Sequence, residues 1–180
     1  MADFVPRLTV EGILNNPYWY ADNVYYQSGY GMPNCTCYAL GRWYELQGSS
    51  EPFNFTRYND GKDWYQMGIE AGYEHDPMIP RLGANVSWDY EGGGHVAIVE
   101  EIEYNADGSV NSIVTSNSAY NGTYFYTERL YSSNGYIWRA DSTLNGFVYH
   151  PDIAPGPGPS PGMGKKMNWM YYLRRFDRLR

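Results

Sequence analysis

Residues 34–44 read NCTCYALGRWY, and the only two cysteines of the chain stand within them, at 35 and 37. A polar approach, GMPN over residues 31–34, leads into the positions from Cys35 to Gln47, which hold few helix breakers. The pattern predicts a helix that opens at Cys35, with Asn34 placed to cap its first turn. Tyr38, Leu40, Trp43, Tyr44 and Leu46 are expected to form its apolar face.

Several chemistries fit a C-x-C pair. A disulfide between Cys35 and Cys37 would close a tiny, strained ring and would need an oxidising compartment. A structural zinc site takes about four ligands, and beside one C-x-C the chain offers only three scattered histidines, His75, His95 and His150. A buried pair of small hydrophobes is the plainest reading, and the preferred one for Cys37. A nucleophile is the remaining possibility. It requires a cysteine at a helix N-terminus, where backbone N–H groups and the helix dipole favour thiolate. It also requires an imidazole to take the proton and a third group to orient that imidazole.

The rest of the chain supplies places for those groups. Residues 1–34 are turn-rich and aromatic without clear periodicity, residues 48–60 read as a loop, and residues 61–72 read as a shorter helix stopped at Gly72. The pattern then turns to β, with strands expected at 84–90, 95–103, 110–118, 123–131 and 146–151, separated by EGGG, NADGS, YNG and SSNG. NADGS between two strands signals a hairpin. Helices followed by an antiparallel meander read as an α+β fold, N-terminal helices packed on an antiparallel sheet. In that layout Cys35 starts the helix, His95 starts a strand after the glycine-rich turn, and Asn117 lies on the next strand, within cross-strand reach. Cys35, His95 and Asn117 are the candidate catalytic set.

The motifs NCTCYALGRWYEL, GGGHVAIVEEI, DGSVNSIVTSNSAYNG and LNGFVYHP, in this order, resemble the CHAP family of cysteine- and histidine-dependent amidohydrolases and peptidases, over roughly residues 30–151. The resemblance implies a papain-like fold of the NlpC/P60 superfamily, with Cys35 as nucleophile and His95 as general base. The family's next strand often carries an acidic residue and then an Asn, where this chain has Asn117 and Ala119; Asn117 is then the residue that orients the imidazole. Glu100 and Glu101 follow His95 on its own strand and are read as solvent-facing or structural. Asn34 is a candidate oxyanion helper, though capping is its simpler role. The implied activity is cleavage of an amide bond in bacterial peptidoglycan, at the N-acetylmuramoyl–L-alanine amide or at a stem or cross-bridge peptide bond. Many members are phage-encoded lysins or virion-associated hydrolases. The alternative is a virion structural or adaptor protein that keeps the fold without the activity. Calcium-binding relatives carry closely spaced aspartates before the cysteine, whereas this chain has only Asp22 and Asn23, so neither a metal nor another cofactor is expected.

Charge separates the chain into unlike parts. The net charge is −7. Residues 1–162 carry seven Lys and Arg against nineteen Asp and Glu, and residues 163–180 carry six against one. An acidic main domain is a poor nucleic-acid binder, which needs a basic face. Twenty tyrosines suit either a β-rich core or an aromatic groove, and an acidic, Tyr-rich groove would suit a stem peptide with a free amine. The chain is expected to divide into a catalytic domain over residues 1–151, a Pro/Gly linker over 152–164 and a basic aromatic tail over 165–180. The tail reads as a segment that docks on anionic wall or membrane surface, as an anchor to a phage tail component, or as a disordered end. The first residues show no charged segment followed by an apolar one, so no secretory signal is expected, and the site of action would be the cell wall after holin release or carriage in a virion.

Overall fold

The computed structural model describes residues 4–54 and 59–154. Residues 55–58, most of the linker and the whole basic tail lie outside the described residues.

Helix α2, Cys35–Gln47, is the centre of the molecule. It follows a 3-10 turn at Pro17–Trp19 and a short helix α1 at Val24–Gln27. Asn34 has extended backbone, and its Oδ1 accepts the Thr36 N–H at 3.0 Å and the Thr36 hydroxyl at 2.8 Å. That satisfies donors the first turn would otherwise leave unpaired. Gly48, at a positive φ of 74°, closes the far end, with its N–H on the Tyr44 carbonyl. The expected single apolar face is too narrow. Every residue from Cys35 to Tyr44 is buried, Arg42 included. The N-terminal segment covers the outer side. Trp19 lies so close to Gly41 that a Cβ there would sit 2.4 Å from the indole, and Trp19 Nε1 donates to the Tyr38 carbonyl.

After α2 come a 3-10 turn at Gly61–Asp63 and helix α3 at Trp64–Glu70, so the helix expected over 61–72 is split in two. Among the described residues seven antiparallel strands follow: β1 (His75–Asp76), β2 (Asn85–Asp89), β3 (His95–Tyr104), β4 (Val110–Asn117), β5 (Tyr126–Ser133), β6 (Tyr136–Ile137) and β7 (Thr143–Val148). Their order in the sheet is β1-β7-β2-β3-β4-β5-β6. The hairpin between β3 and β4 turns on Asn105 and Ser109, as NADGS predicts.

The sheet is buried on both sides. Val96 and Ile98 join α2 and α3 in one core, while Ala97 and Val99 point the other way into a second core with Trp88, Ile113, Leu130 and Phe147. The unbroken apolar run of β3 answers to that double burial. The fold is α+β and papain-like, a helix end set against an antiparallel sheet.

Candidate active site

Cys35 is the first residue of α2, and Cys37 lies one residue deeper. Both are free thiols. Cys37 is fully buried, its Sγ against the Trp19 carbonyl at 3.5 Å, and burial pushes its thiol up to about 12. It is the small hydrophobe the sequence suggests. Cys35 keeps 8% of its surface and borders a cleft of about 530 Å³. Burial pushes the Cys35 thiol up, while the backbone N–H groups of Val96, Thr36 and Cys35 itself work against that shift. Val96 directly follows His95, so the start of β3 meets the start of α2 at this sulfur.

His95 is buried and its ring stacks on Trp88, with centroids 6.2 Å apart and planes at 24°. Its Nε2 lies 2.9 Å from Asn117 Oδ1. Ile98 pairs with Ser116, which makes His95 and Asn117 same-face diagonal neighbours on adjacent strands.

A chain of donors fixes the roles of these atoms. The Glu128 carbonyl can only accept, and it takes the Thr115 hydroxyl at 3.4 Å. Thr115 Oγ1 and the Thr115 carbonyl then accept from Asn117 Nδ2 at 2.9 and 3.0 Å. With both amide hydrogens used, Oδ1 faces the histidine, and Nε2 must carry the proton. The neutral ring therefore has its lone pair on Nδ1. Burial, against the Asn117 hydrogen bond and with help from Arg139, pushes His95 down to about 4. Burial thus disfavours the charged form of both groups.

Three features that sequence reasoning left open or missed surround this site, and the first two hold its geometry. Glu100 is the main one. It is buried, takes Arg42 of α2 through two bonds of 3.0 Å, and accepts the Ser116 hydroxyl at 2.7 Å and the Arg7 N–H at 2.8 Å. One carboxylate thus joins the Cys35 helix, the His95 strand and the residue before Asn117. Its position was readable, since residue 100 shares the face of Val96 and Ile98, whereas Glu101 turns outward beside Arg129. Gly61 is the second. A Cβ there would lie 2.7 Å from the His95 carbonyl carbon, so only glycine lets this segment lie on the histidine's backbone. Asp60, on the cleft wall, is the third.

Asn34 borders the same cleft, with its side-chain oxygen committed to the cap. Among the described residues, no group of three or more His, Cys, Asp or Glu is gathered that could hold a metal ion.

The profile of the CHAP domain matches residues 25–119, more than half of the chain and inclusive of Cys35, His95 and Asn117. A crystal structure of an N-acetylmuramoyl-L-alanine amidase from Staphylococcus aureus is similar, at 24% identity and a TM-score of 0.44, over 64% of this chain and 32% of that one. The chain thus spans about a third of the length of that amidase. No curated protein matches.

Proposed function

The chain belongs to the CHAP domain family, and from that membership we propose that it is a peptidoglycan hydrolase that cuts an amide bond through a Cys35 nucleophile. The bond is the N-acetylmuramoyl–L-alanine amide or a peptide bond of the stem or cross-bridge. The observation that carries this reading is the hydrogen bond between Asn117 and His95 Nε2, which leaves the ring's lone pair on Nδ1 at the end of β3 that meets Cys35.

In the first half-reaction Nδ1 takes the thiol proton as Sγ attacks the carbonyl carbon. The tetrahedral oxyanion is held by the Cys35 backbone N–H and a neighbouring donor on the cleft. Collapse breaks the C–N bond, and the imidazolium returns its proton to the leaving amine. Water, deprotonated by the same nitrogen, then hydrolyses the thioester and restores the thiol. Asn117 holds the ring in place through Nε2. Burial pushes the Cys35 thiol up and His95 down, which favours proton transfer in step with attack.

The feature that favours the adaptor alternative is the departure at Asn117 and Ala119 from the family's acidic residue and Asn. A neutral amide 2.9 Å from the imidazole supplies the same orientation, which weakens that argument. We read the protein as phage-encoded, in keeping with many of its family, acting on the wall at lysis or from the particle.

The test is incubation of the purified chain with peptidoglycan of defined chemotypes, followed by mass spectrometry of the soluble fragments. Free intact stems identify the amidase, and shortened stems identify the peptidase. No release from any chemotype overturns the hydrolase reading in favour of the adaptor.

A further inference from the structure

Asp60 is the one charged side chain on the lining of the Cys35 cleft among the described residues. Its carboxylate has no hydrogen-bond or ion-pair partner among them, and it does not cap the 3-10 turn that follows it. It faces Gly93 closely enough that a Cβ on that glycine would lie 3.1 Å from the carboxyl carbon. It is also near enough to Cys35 for its charge to oppose thiolate formation.

The nearby cations among the described residues are occupied. Lys62 Nζ donates to the Gly92 carbonyl at 2.8 Å, and Arg139 is paired with Glu128 at 3.2 Å. The neighbouring groove, which shares Tyr90 with the cleft, adds Asp89, Glu91 and Asp141. On the other side, Tyr30 and Tyr120 stand 53% and 60% exposed, with ring centroids 6.5 Å apart, and offer π faces to a positive group.

We propose that Asp60 is a specificity-determining residue that binds a primary ammonium of the peptide substrate beside the scissile amide. The proposal rests on the hydrolase reading of the same cleft and names the substrate feature it selects, a peptide with a free amine. A calcium ion fits poorly, since it takes about six to eight oxygens and no acidic group of three is gathered here among the described residues. An ammonium needs few acceptors and tolerates the tyrosine faces.

The experiment uses the full chain with Cys35→Ala, so that ligands bind without turnover. Calorimetry compares soluble muropeptides bearing free amines with the same muropeptides acetylated by acetic anhydride. Acetylation is expected to weaken binding about fivefold, a size suited to a partly exposed charge pair. Asp60→Asn abolishes the preference, and Asp60→Glu retains it. Equal affinity for both ligands, or a preference that survives Asp60→Asn, overturns the proposal. Turnover assays on the wild type separate the two claims. A charge-dependent preference without turnover overturns the hydrolase reading and leaves the Asp60 assignment standing. Turnover without a preference does the reverse.

Discussion

Asn117 is neutral, and that sets how His95 behaves. A carboxylate in its place would stabilise imidazolium, whereas the amide orients the ring without adding charge, and burial holds His95 down to about 4. In the proposed mechanism His95 is the general base and must be unprotonated, so the acid limb of kcat/KM is predicted to lie near pH 4 in the wild type. Asn117→Asp raises the His95 pKa, and the limb moves to higher pH. A pH–rate profile of the two proteins checks this, and an unmoved limb would show that residue 117 does not face the working imidazole. The positions of Cys35, His95 and Asn117 in the fold were legible in the sequence because each sits at the start or end of a strongly patterned element. Asp60 was not. It lies between the elements, and no periodicity says which way a loop side chain points.

The elements that carry the site are held by one buried ion pair and one glycine contact. Glu100→Ala leaves the buried Arg42 guanidinium with Glu45 and the Val5 carbonyl in place of a fully desolvated carboxylate, and is predicted to cost about 3 kcal/mol, read as a lower urea midpoint. If stability is unchanged, Glu100 is not the pin between α2, β3 and β4. Gly61→Ala puts a methyl against the His95 backbone. It is predicted to lower kcat about tenfold or more, since misplaced catalytic groups lose rate steeply, with a smaller change in thermal stability. Strands β2, β3 and β4 were legible because their alternation or apolar run matches their burial. The two-residue strands β1 and β6 carry too few residues to show a period. Strand β5 begins later than residue 123 because the Ala119 N–H binds the Thr123 carbonyl and draws 123 into the preceding turn. Strand β7 begins at Thr143, before the glycine taken as its start. Gly146 lies inside the strand because the Tyr65 ring fills its side-chain space, 2.5 Å from where a Cβ would stand.

For the whole molecule, the depressed His95 couples folding to pH. The unfolded histidine takes a proton near pH 6.5 and the folded one near 4, so stability falls as pH drops through that window. The total loss is on the order of 3 kcal/mol. Thermal melts from pH 7 to pH 4 should show it, and His95→Gln should flatten the decline; an equal decline in both proteins would assign the effect elsewhere. The α+β class was readable from the order of the patterns, but the N-terminal cover over α2 was not, since Trp19 and Asn23 act through single contacts to its carbonyls. The charge contrast between the acidic domain and the basic residues 163–180 predicts that deleting those residues lowers cosedimentation with walls and leaves turnover of soluble muropeptides unchanged. The most direct test of the central claim is turnover of purified peptidoglycan by the wild type, Cys35→Ala and Cys37→Ala, each verified as folded by its melt. The account predicts that Cys35→Ala releases no fragments while Cys37→Ala releases the same fragments as the wild type. Fragment release by Cys35→Ala would contradict it.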